Sequence, residues 1–295
     1  MSRIQDILNK AERDGGVRRT RGLGGDGGVV AEATPPPVAM PRPTAAHEPY
    51  AESTDAEQAA PRATVPPERE GKLDHRLVAA LAPQSLAAEQ YRSLRTRISS
   101  GENGRAIRAI IVTSPGKGDG KSLTAANLAL TMAQEYQHRV LLVDADLRRP
   151  TLHQLFGLRE TPGLTDVLMG AATLDDAFVP LAEHHLTVLP SGVPAMHPAE
   201  LLGSAAMRRV LDAARTRFDR VILDMPPAAP LADVQVLAGL ADGLLMIVRA
   251  GVTPKPAIER ALAGLDHSKV LGLVLNEAGT DGTAEGYGSY AYIAG

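Results

Sequence analysis

The chain has 295 residues, enough for one large α/β domain with extensions, and 44% of them are hydrophobic although only 3% are aromatic. Its formal net charge of −3 provides no general attraction to nucleic acid or to anionic lipid, so no nucleic-acid partner is expected. The absence of cysteine excludes disulfides and zinc–cysteine sites and favours the cytosol. No apolar stretch reaches the roughly 18 residues that a membrane helix requires, so no direct membrane span is expected.

The first 82 residues are predicted to lie outside the main domain. Apolar residues at positions 4, 7, 8 and 11 predict a short amphipathic helix over residues 1–13, which could dock on a partner, touch a membrane surface or have no specific role. Residues 14–82 are rich in Gly and Arg at first and then in Pro, with nine prolines between residues 35 and 67. This composition buries too little apolar surface to offset the entropy of ordering, so a disordered linker is expected.

A regular alternation of strands and helices follows, over residues 83–276. The apolar stripe of Ala87, Tyr91, Leu94 and Ile98 predicts a helix over residues 84–99. Beyond it, the sequence predicts strands at 107–113, 139–143, 186–189, 220–224, 243–248 and 269–275, and helices at 121–136, 164–169, 198–217, 231–240 and 254–265. The alternation predicts an α/β fold with a doubly wound, mostly parallel sheet, in which ligands bind beyond the carboxyl ends of the strands.

A glycine-rich segment lies between the first of these strands and the helix after it. It reads Ser-Pro-Gly-Lys-Gly-Asp-Gly-Lys-Ser over residues 114–122, with Pro115 at the place where the strict Walker A pattern has glycine. Glycines allow successive main-chain N–H groups to close around phosphates at the positive end of a helix, which favours a nucleotide site over a surface turn. The residues predicted to contact the nucleotide here are Gly116, Lys117, Gly118, Asp119, Gly120, Lys121, Ser122 and Leu123.

Aspartates follow two other apolar strands. Asp144 and Asp146 come after Val140–Val143, and Asp224 comes after the run from residue 221 to 223. Magnesium bound to a nucleotide keeps several waters, which nearby carboxylates orient, and both strand ends fit that requirement. The alternative is that the aspartates cap the helices that follow them, and Asp146 could instead pair with Arg148.

Together these motifs resemble those of the bacterial tyrosine kinases (BY-kinases) of capsule and exopolysaccharide assembly. The shared motifs are Gly-x-Gly-Lys-Ser, then Asp-x-Asp-Leu-Arg-Arg-Pro, then Leu-Asp-Met-Pro-Pro, and the resemblance covers about residues 83–276. The MinD/ParA-like division-site and partition ATPases share the P-loop NTPase architecture but carry a signature lysine five residues before the Walker lysine. This chain has Gly116 there, with Lys117 displaced by one position, which favours the kinase family.

The resemblance implies a role for each matching residue. Lys121 would contact the β- and γ-phosphates of ATP as a catalytic residue. Asp144 would orient a metal-bound water and accept the tyrosine hydroxyl proton, and Asp146 would complete the outer shell of the metal. Asn276, at the end of the last strand, matches the position that recognises the base. The Mg²⁺ residues implied by the resemblance are Ser122, Asp144 and Asp224.

Three of the six tyrosines lie in the segment 277–295, which is expected to be a flexible tail: Tyr287, Tyr290 and Tyr292. Tyrosines among Gly, Ser and Ala are poor core material and are suited to accept phosphate, although they could also be accidental features of a disordered end. From Asn276 the tail spans roughly 35–55 Å when extended, enough to reach the active site of a neighbouring subunit.

The helix before the first strand carries Glu89, Arg92 and Arg95 at intervals of three residues. These side chains are predicted to project away from the apolar stripe into solvent, where they could form only an internal Glu–Arg pair. In the kinase family, a Glu-x-x-Arg-x-x-Arg helix contacts the next subunit of a ring, which implies a homo-oligomer here.

The resemblance therefore implies an ATP-dependent protein-tyrosine autokinase that regulates exopolysaccharide polymerisation and export. It would act at the cytoplasmic face of the membrane through a membrane-anchored polysaccharide co-polymerase that activates it. Two alternatives belong to other classes: an ATPase switch of the MinD/ParA type, and an interaction protein that binds nucleotide without kinase activity.

Overall fold

The computed structural model of the protein describes residues 71–100, 106–135, 138–228 and 232–278, all of which belong to one compact unit. The predicted N-terminal helix, most of the predicted linker and the three C-terminal tyrosines lie outside the described residues. No helix in the described part is both long and apolar enough to cross a membrane.

The strands of the described residues form one sheet. They are β1 (Ala109–Thr113), β2 (Val140–Asp144), β3 (Val179–Leu181), β4 (Leu186–Leu189), β5 (Arg220–Asp224), β6 (Gly243–Arg249) and β7 (Val270–Asn276). Their order is β3-β4-β2-β5-β1-β6-β7, and each neighbouring pair is parallel except β3 with β4.

Helices connect the strands. They are α1 (Val78–Leu81), α2 (Leu86–Ser100), α3 (Lys121–Ala133), α4 (Leu152–Phe156), α5 (Leu164–Leu168), α6 (Leu174–Ala177), α7 (Pro198–Gly203), α8 (Ala205–Arg217), α9 (Asp233–Ala238) and α10 (Lys255–Ala263), with 3₁₀ turns at Ala182–His184 and His267–Lys269.

Both faces of the sheet are buried. Successive side chains of a strand point to opposite faces, so Ala109 and Ile111 of β1 join one apolar cluster while Ile110 and Val112 join another. Helix α8 contributes to the first cluster and α3 to the second. The prediction of a doubly wound, mostly parallel α/β fold is therefore confirmed.

The predicted elements agree with the structure where apolar runs are long. All six predicted strands are present within two residues of their predicted bounds. The sequence did not predict β3, which has three residues with Pro180 in the middle and pairs antiparallel with β4. The single helix predicted over 198–217 is two helices, because Ser204 caps α8 by accepting a hydrogen bond from the main chain of Met207 (3.2 Å).

The folded domain begins well before residue 83, so the predicted linker over 14–82 extends too far. The main-chain N–H of Gly71 donates to the carbonyl of Gly157 (2.9 Å), and Leu77 is completely buried. Asn127, a buried residue of α3, accepts a hydrogen bond from the main chain of Ala79 (3.0 Å). These contacts attach the segment before α2 to Gly157 at the end of α4 and to α3, the helix that follows the glycine-rich loop.

Helix α2 buries most of the predicted stripe: Ile98 is buried, and Tyr91 and Leu94 are partly buried. Ala87 is exposed and Ala88 is buried, so the buried face extends further than predicted on the side of Arg95. Arg95 consequently faces the domain: its guanidinium donates to the carbonyl of Thr131 at the end of α3 (2.9 Å) and lies 3.1 Å from Glu135. The prediction that Arg95 projects into solvent is wrong.

The other two charged residues of this motif pair with each other. Arg92 lies 2.5 Å from the carboxylate of Glu89 and also donates to the carbonyl of Pro83. Glu89 remains 65% exposed. The internal Glu–Arg pair that the sequence allowed is therefore present, and Glu89 is the member of the motif most accessible to a neighbouring subunit.

Candidate nucleotide-binding site

The predicted site residues meet at the carboxyl ends of three adjacent strands, β1, β5 and β2. Asp224 is the register partner of Val112 on one side and of Asp144 on the other. Because parallel strands end at the same edge of the sheet, the glycine-rich loop after β1 lies beside both aspartates.

The backbone of the glycine-rich loop depends on its glycines. Gly118 and Gly120 have φ values of +80° and +90°, which other residues rarely adopt. A Cβ atom at Gly120 would also lie 2.1 Å from the side-chain nitrogen of Asn276. Asn276 donates to the carbonyl of Asp119 (3.0 Å), so the residue predicted to recognise the base contacts the loop.

The other loop residues have differing surroundings. Lys117 is exposed, whereas Leu123 is partly buried against the core. Gly116 donates its main-chain N–H to the carboxylate of Asp119 (2.9 Å), which in turn accepts from the hydroxyl of Thr253 (2.8 Å). The sequence analysis did not identify Thr253, because it lies 134 residues away in the chain.

Lys121 lies between two of the predicted acids. Its ammonium group is 2.9 Å from Asp146 and 3.5 Å from Asp224, and it donates to the hydroxyl of Ser122 (3.0 Å). Burial alone would lower the pKa of Lys121, but the negative charges of Asp224 and Asp146 outweigh it and raise this pKa. Lys121 is therefore a permanent cation at the start of α3, placed to contact phosphate oxygens.

Asp144 both caps a helix and faces the site. One of its oxygens accepts hydrogen bonds from the main chain of Thr151 (3.0 Å) and Leu152 (2.9 Å), as the capping alternative predicted. Burial and the charge of Asp224 raise the pKa of Asp144 to about 8 despite these bonds. A carboxyl with such a pKa holds its proton at neutral pH until a nearby positive charge lowers that pKa.

Asp224 is suited to a magnesium ion and its waters. It is completely buried, and among the described residues neither carboxylate oxygen has a hydrogen bond of ordinary geometry, although the ammonium of Lys121 lies 3.5 Å from one of them. Burial raises its pKa, although the charge of Lys121 opposes this. Magnesium is commonly held by one or two carboxylates together with substrate phosphates, which agrees with the absence of any group of three or more His, Asp or Glu placed for a metal within the described ranges.

Arg148 pairs with Asp233, not with Asp146. The guanidinium lies 2.6 Å and 3.2 Å from the two oxygens of Asp233, the first residue of α9. Asp146 accepts from the main chain of Arg149 instead (3.1 Å). The Arg148–Asp233 pair joins the loop after β2 to the helix after β5, so it holds together the two segments that carry the acids.

Replacing Arg148 with methionine should destabilise the protein by about 2 kcal/mol, because it leaves the buried Asp233 without its cation. The loss should be smaller than for a fully buried pair, since the Arg148 side chain is 41% exposed. Arg149→Met is the matched control: Arg149 is exposed and contributes its main-chain N–H, which the substitution retains. Urea unfolding would measure both, and equal stability of the two variants would contradict a structural role for the pair.

Comparison with known proteins shows the family to which this chain belongs. Residues 107–262, more than half of the chain, match the AAA domain family. Tyrosine-protein kinase YwqD of Bacillus subtilis (strain 168) is 40% identical over 210 residues, which cover 70% of this chain and 88% of the relative. The chain belongs to the bacterial tyrosine kinase family.

Two further relatives of this BY-kinase domain extend the comparison. The crystal structure of the chimerical protein CapA2B2 has a TM-score of 0.65 and 30% identity, covering 71% of this chain and 93% of that one. The succinoglycan biosynthesis transport protein ExoP of Rhizobium meliloti (strain 1021) is 36% identical over 202 residues, which cover 66% of this chain but 25% of ExoP.

Proposed function

We propose that the protein is an ATP-dependent tyrosine kinase that phosphorylates its own C-terminal tyrosines in trans and thereby regulates exopolysaccharide polymerisation and export. The observation that carries the proposal is the position of Lys121 between Asp146 and Asp224 at the start of α3, beside the buried Asp144. A cation at a helix N-terminus and acids at adjacent strand ends are what a magnesium–triphosphate complex requires.

The residues of the site have distinct roles in this proposal. Main-chain N–H groups of residues 117–123 and the ammonium of Lys121 bind the phosphates, while the N–H of Gly116 donates to Asp119. Asn276 lies where it can contact the base. Ser122, Asp144 and Asp224 would hold Mg²⁺ and its waters, and the metal when bound would neutralise phosphate charge. The buried carboxylate of Asp224, whose oxygens lack an ordinary hydrogen bond within the described residues, supports that assignment.

In the transfer itself, the tyrosine oxygen forms a bond to the γ-phosphorus of ATP as the bond from that phosphorus to the bridging oxygen of ADP breaks. The phenol proton passes to Asp144, which would be ionised once the positive charge of bound Mg²⁺ lowers the raised pKa of this carboxyl. Lys121 stabilises the negative charge on the phosphate oxygens during the transfer.

The acceptors are Tyr287, Tyr290 and Tyr292 of a neighbouring subunit. The extended tail spans roughly 35–55 Å and the domain has a diameter of about 40 Å, so the tail can reach across to a second copy. A homo-oligomeric ring would arrange the subunits for this exchange, with the exposed Glu89 and its partner Arg92 at the contact. Arg95, which is bonded within the domain, would act by holding α2 on α3.

The relatives support a proposal for the cellular setting. ExoP is named as a succinoglycan biosynthesis transport protein, and this chain matches a quarter of its length. The proposed activator is a membrane-anchored polysaccharide co-polymerase, with the kinase at the cytoplasmic face of the membrane. Phosphate adds close to two negative charges per tyrosine, which would repel the tail from acidic site residues and loosen the ring.

A phosphosite map tests the proposal. The full chain is incubated with ATP and magnesium, with and without membranes of the producing organism, and phosphotyrosines are located by mass spectrometry. We expect phosphate on the three tail tyrosines, none in Lys121→Met, and transfer to the Lys121→Met tail when that variant is mixed with an active chain ending at Gly286. ATP turnover without phosphotyrosine would instead indicate an ATPase switch, and binding without turnover an interaction protein.

A further inference from the structure

An acidic side chain is buried inside the loop that is proposed to hold a polyanion. Asp119 is 4% exposed and lies two residues before Lys121. A carboxylate beside phosphates would repel them, so a direct contribution of this side chain to phosphate binding is physically unfavourable. Its burial therefore points to a different task.

The carboxylate of Asp119 joins separate segments of the domain. One oxygen accepts the main-chain N–H of Gly116 within the loop (2.9 Å), and the other accepts the hydroxyl of Thr253 (2.8 Å). The main-chain carbonyl of the same residue accepts from Asn276 at the end of β7 (3.0 Å). The loop is thus tied to the connection after β6 and to the last strand.

Thr253 is oriented for this bond by the turn that carries it. Its hydroxyl oxygen accepts the main-chain N–H of Arg249 (2.9 Å), which leaves the hydroxyl proton to point at Asp119. The turn that carries Thr253 is itself fixed, because its own N–H donates to the carbonyl of Arg249 (3.0 Å) and that of Ala250 donates to the carbonyl of Asn276 (2.8 Å).

We propose that Thr253 is a positioning residue for nucleotide binding, which acts by holding Asp119 so that the loop keeps its phosphate-accepting shape in the absence of ligand. The loop contains two glycines with positive φ, whose freedom would otherwise have to be lost on binding. A loop ordered in advance loses less entropy when it binds its ligand. The inference rests on the proposed function only for the identity of the ligand, a nucleoside di- or triphosphate.

Matched substitutions separate this role from others. Thr253→Val keeps the shape and removes the hydroxyl, whereas Thr253→Ser keeps the hydroxyl. Loss of one hydrogen bond of about 1 kcal/mol corresponds to about a fivefold weaker affinity, so we expect the dissociation constants of ADP and ATP with Mg²⁺ to rise about fivefold to tenfold in Thr253→Val. Thr253→Ser should stay within about twofold of the wild type, as should the exposed neighbour control Val252→Ala.

Replacing Asp119 provides a second test, because two explanations of its charge predict opposite changes in nucleotide affinity. If its carboxylate merely repels phosphate, Asp119→Ala should bind nucleotide more tightly; if it holds the loop, that variant should bind at least as weakly as Thr253→Val. Isothermal titration calorimetry on the full chain at one salt concentration measures the nucleotide affinity of all variants. Asp119→Asn is used if Asp119→Ala does not fold, and Thr253→Ala is used if Thr253→Val does not fold. In kinase assays, Thr253→Val should raise KM for ATP and leave kcat nearly unchanged.

The proposal is overturned if Thr253→Val binds ADP and ATP as the wild type does, if Thr253→Ser is as weak as Thr253→Val, or if Asp119→Ala binds more tightly. A wild-type chain that binds nucleotide without phosphorylating tyrosine would refute the kinase proposal and leave this one standing on the calorimetry. A wild-type chain that binds neither nucleotide would refute both.

Discussion

Replacing Lys121 with methionine is expected to lower tyrosine phosphorylation by at least about a hundredfold, whereas replacing Lys117 with methionine should lower it by no more than about threefold. The two lysines belong to the same glycine-rich loop but differ in their surroundings. Lys121 is 13% exposed and lies within 3.5 Å of Asp146 and Asp224, while Lys117 is exposed to solvent. A buried cation acts on the reacting phosphates in a medium that screens it little, and an exposed one is screened by water.

The Lys121 variant also tests what the lysine does when no nucleotide is bound. Its removal leaves two buried carboxylates without a cation, so the nucleotide-free protein should also unfold at a lower temperature. Lys121→Arg keeps the charge and should retain most of this stability, while its different shape should still impair phosphate transfer. Phosphotyrosine quantified by mass spectrometry, beside thermal unfolding, measures both effects. Phosphorylation by Lys121→Met above about a tenth of the wild-type rate would contradict the assigned role.

The sheet and the loop could be predicted from the sequence because each depends on local pattern. The apolar runs that end at Thr113, Asp144 and Asp224 are long enough to predict buried strands. The polar residues that follow each run either lie at the surface or belong to a binding site. When three such strands are parallel neighbours, the polar residues that follow them lie together at one edge of the sheet. The strand β3 and the helices α1, α4 and α6, of three to five residues each, are too short for a period to be recognised.

The contacts that hold the site together could not be predicted in this way. The Arg148–Asp233 pair joins residues 85 positions apart, and the Asp119–Thr253 bond joins residues 134 apart. The sequence around one residue of such a pair does not indicate which residue it contacts, because a charged or hydroxyl side chain in a loop is usually exposed.

The start of the domain and the width of the buried face of α2 could not be predicted from the sequence. The segment from Gly71 is attached through Asn127, a polar residue within a helix that is interpreted as an ordinary exposed position until its partners are known. On α2, the buried face includes Ala88 as well as the predicted Ile98, so that Arg95 beside Ala88 contacts Thr131. Periodicity predicts the centre of such a face and not its width.

Stability of the nucleotide-free protein in EDTA is expected to fall as the pH rises from about 5 to 8, and Asp144→Asn should reduce this fall by roughly 1 kcal/mol per pH unit. The pKa of Asp144 is raised to about 8 by burial and by the charge of Asp224, while an aspartate in the unfolded chain has a pKa of about 3.9. Between these two values the folded protein binds a proton that the unfolded chain does not. The stability linked to that proton is therefore complete below about pH 4 and is lost as the pH rises through about 8.

Urea unfolding at a series of pH values measures this slope, with Asp212→Asn as the control because the Asp212 side chain is 77% exposed. A slope in Asp144→Asn equal to that of the wild type and of the control would contradict the raised pKa. The burial that keeps a proton on Asp144 in the metal-free protein would be opposed by the charge of bound Mg²⁺, which would leave the carboxylate free to accept a phenol proton. Asp144→Asn should therefore be less dependent on pH in its stability and, unlike the control, should lose tyrosine phosphorylation, because the substitution removes the proton acceptor from the site.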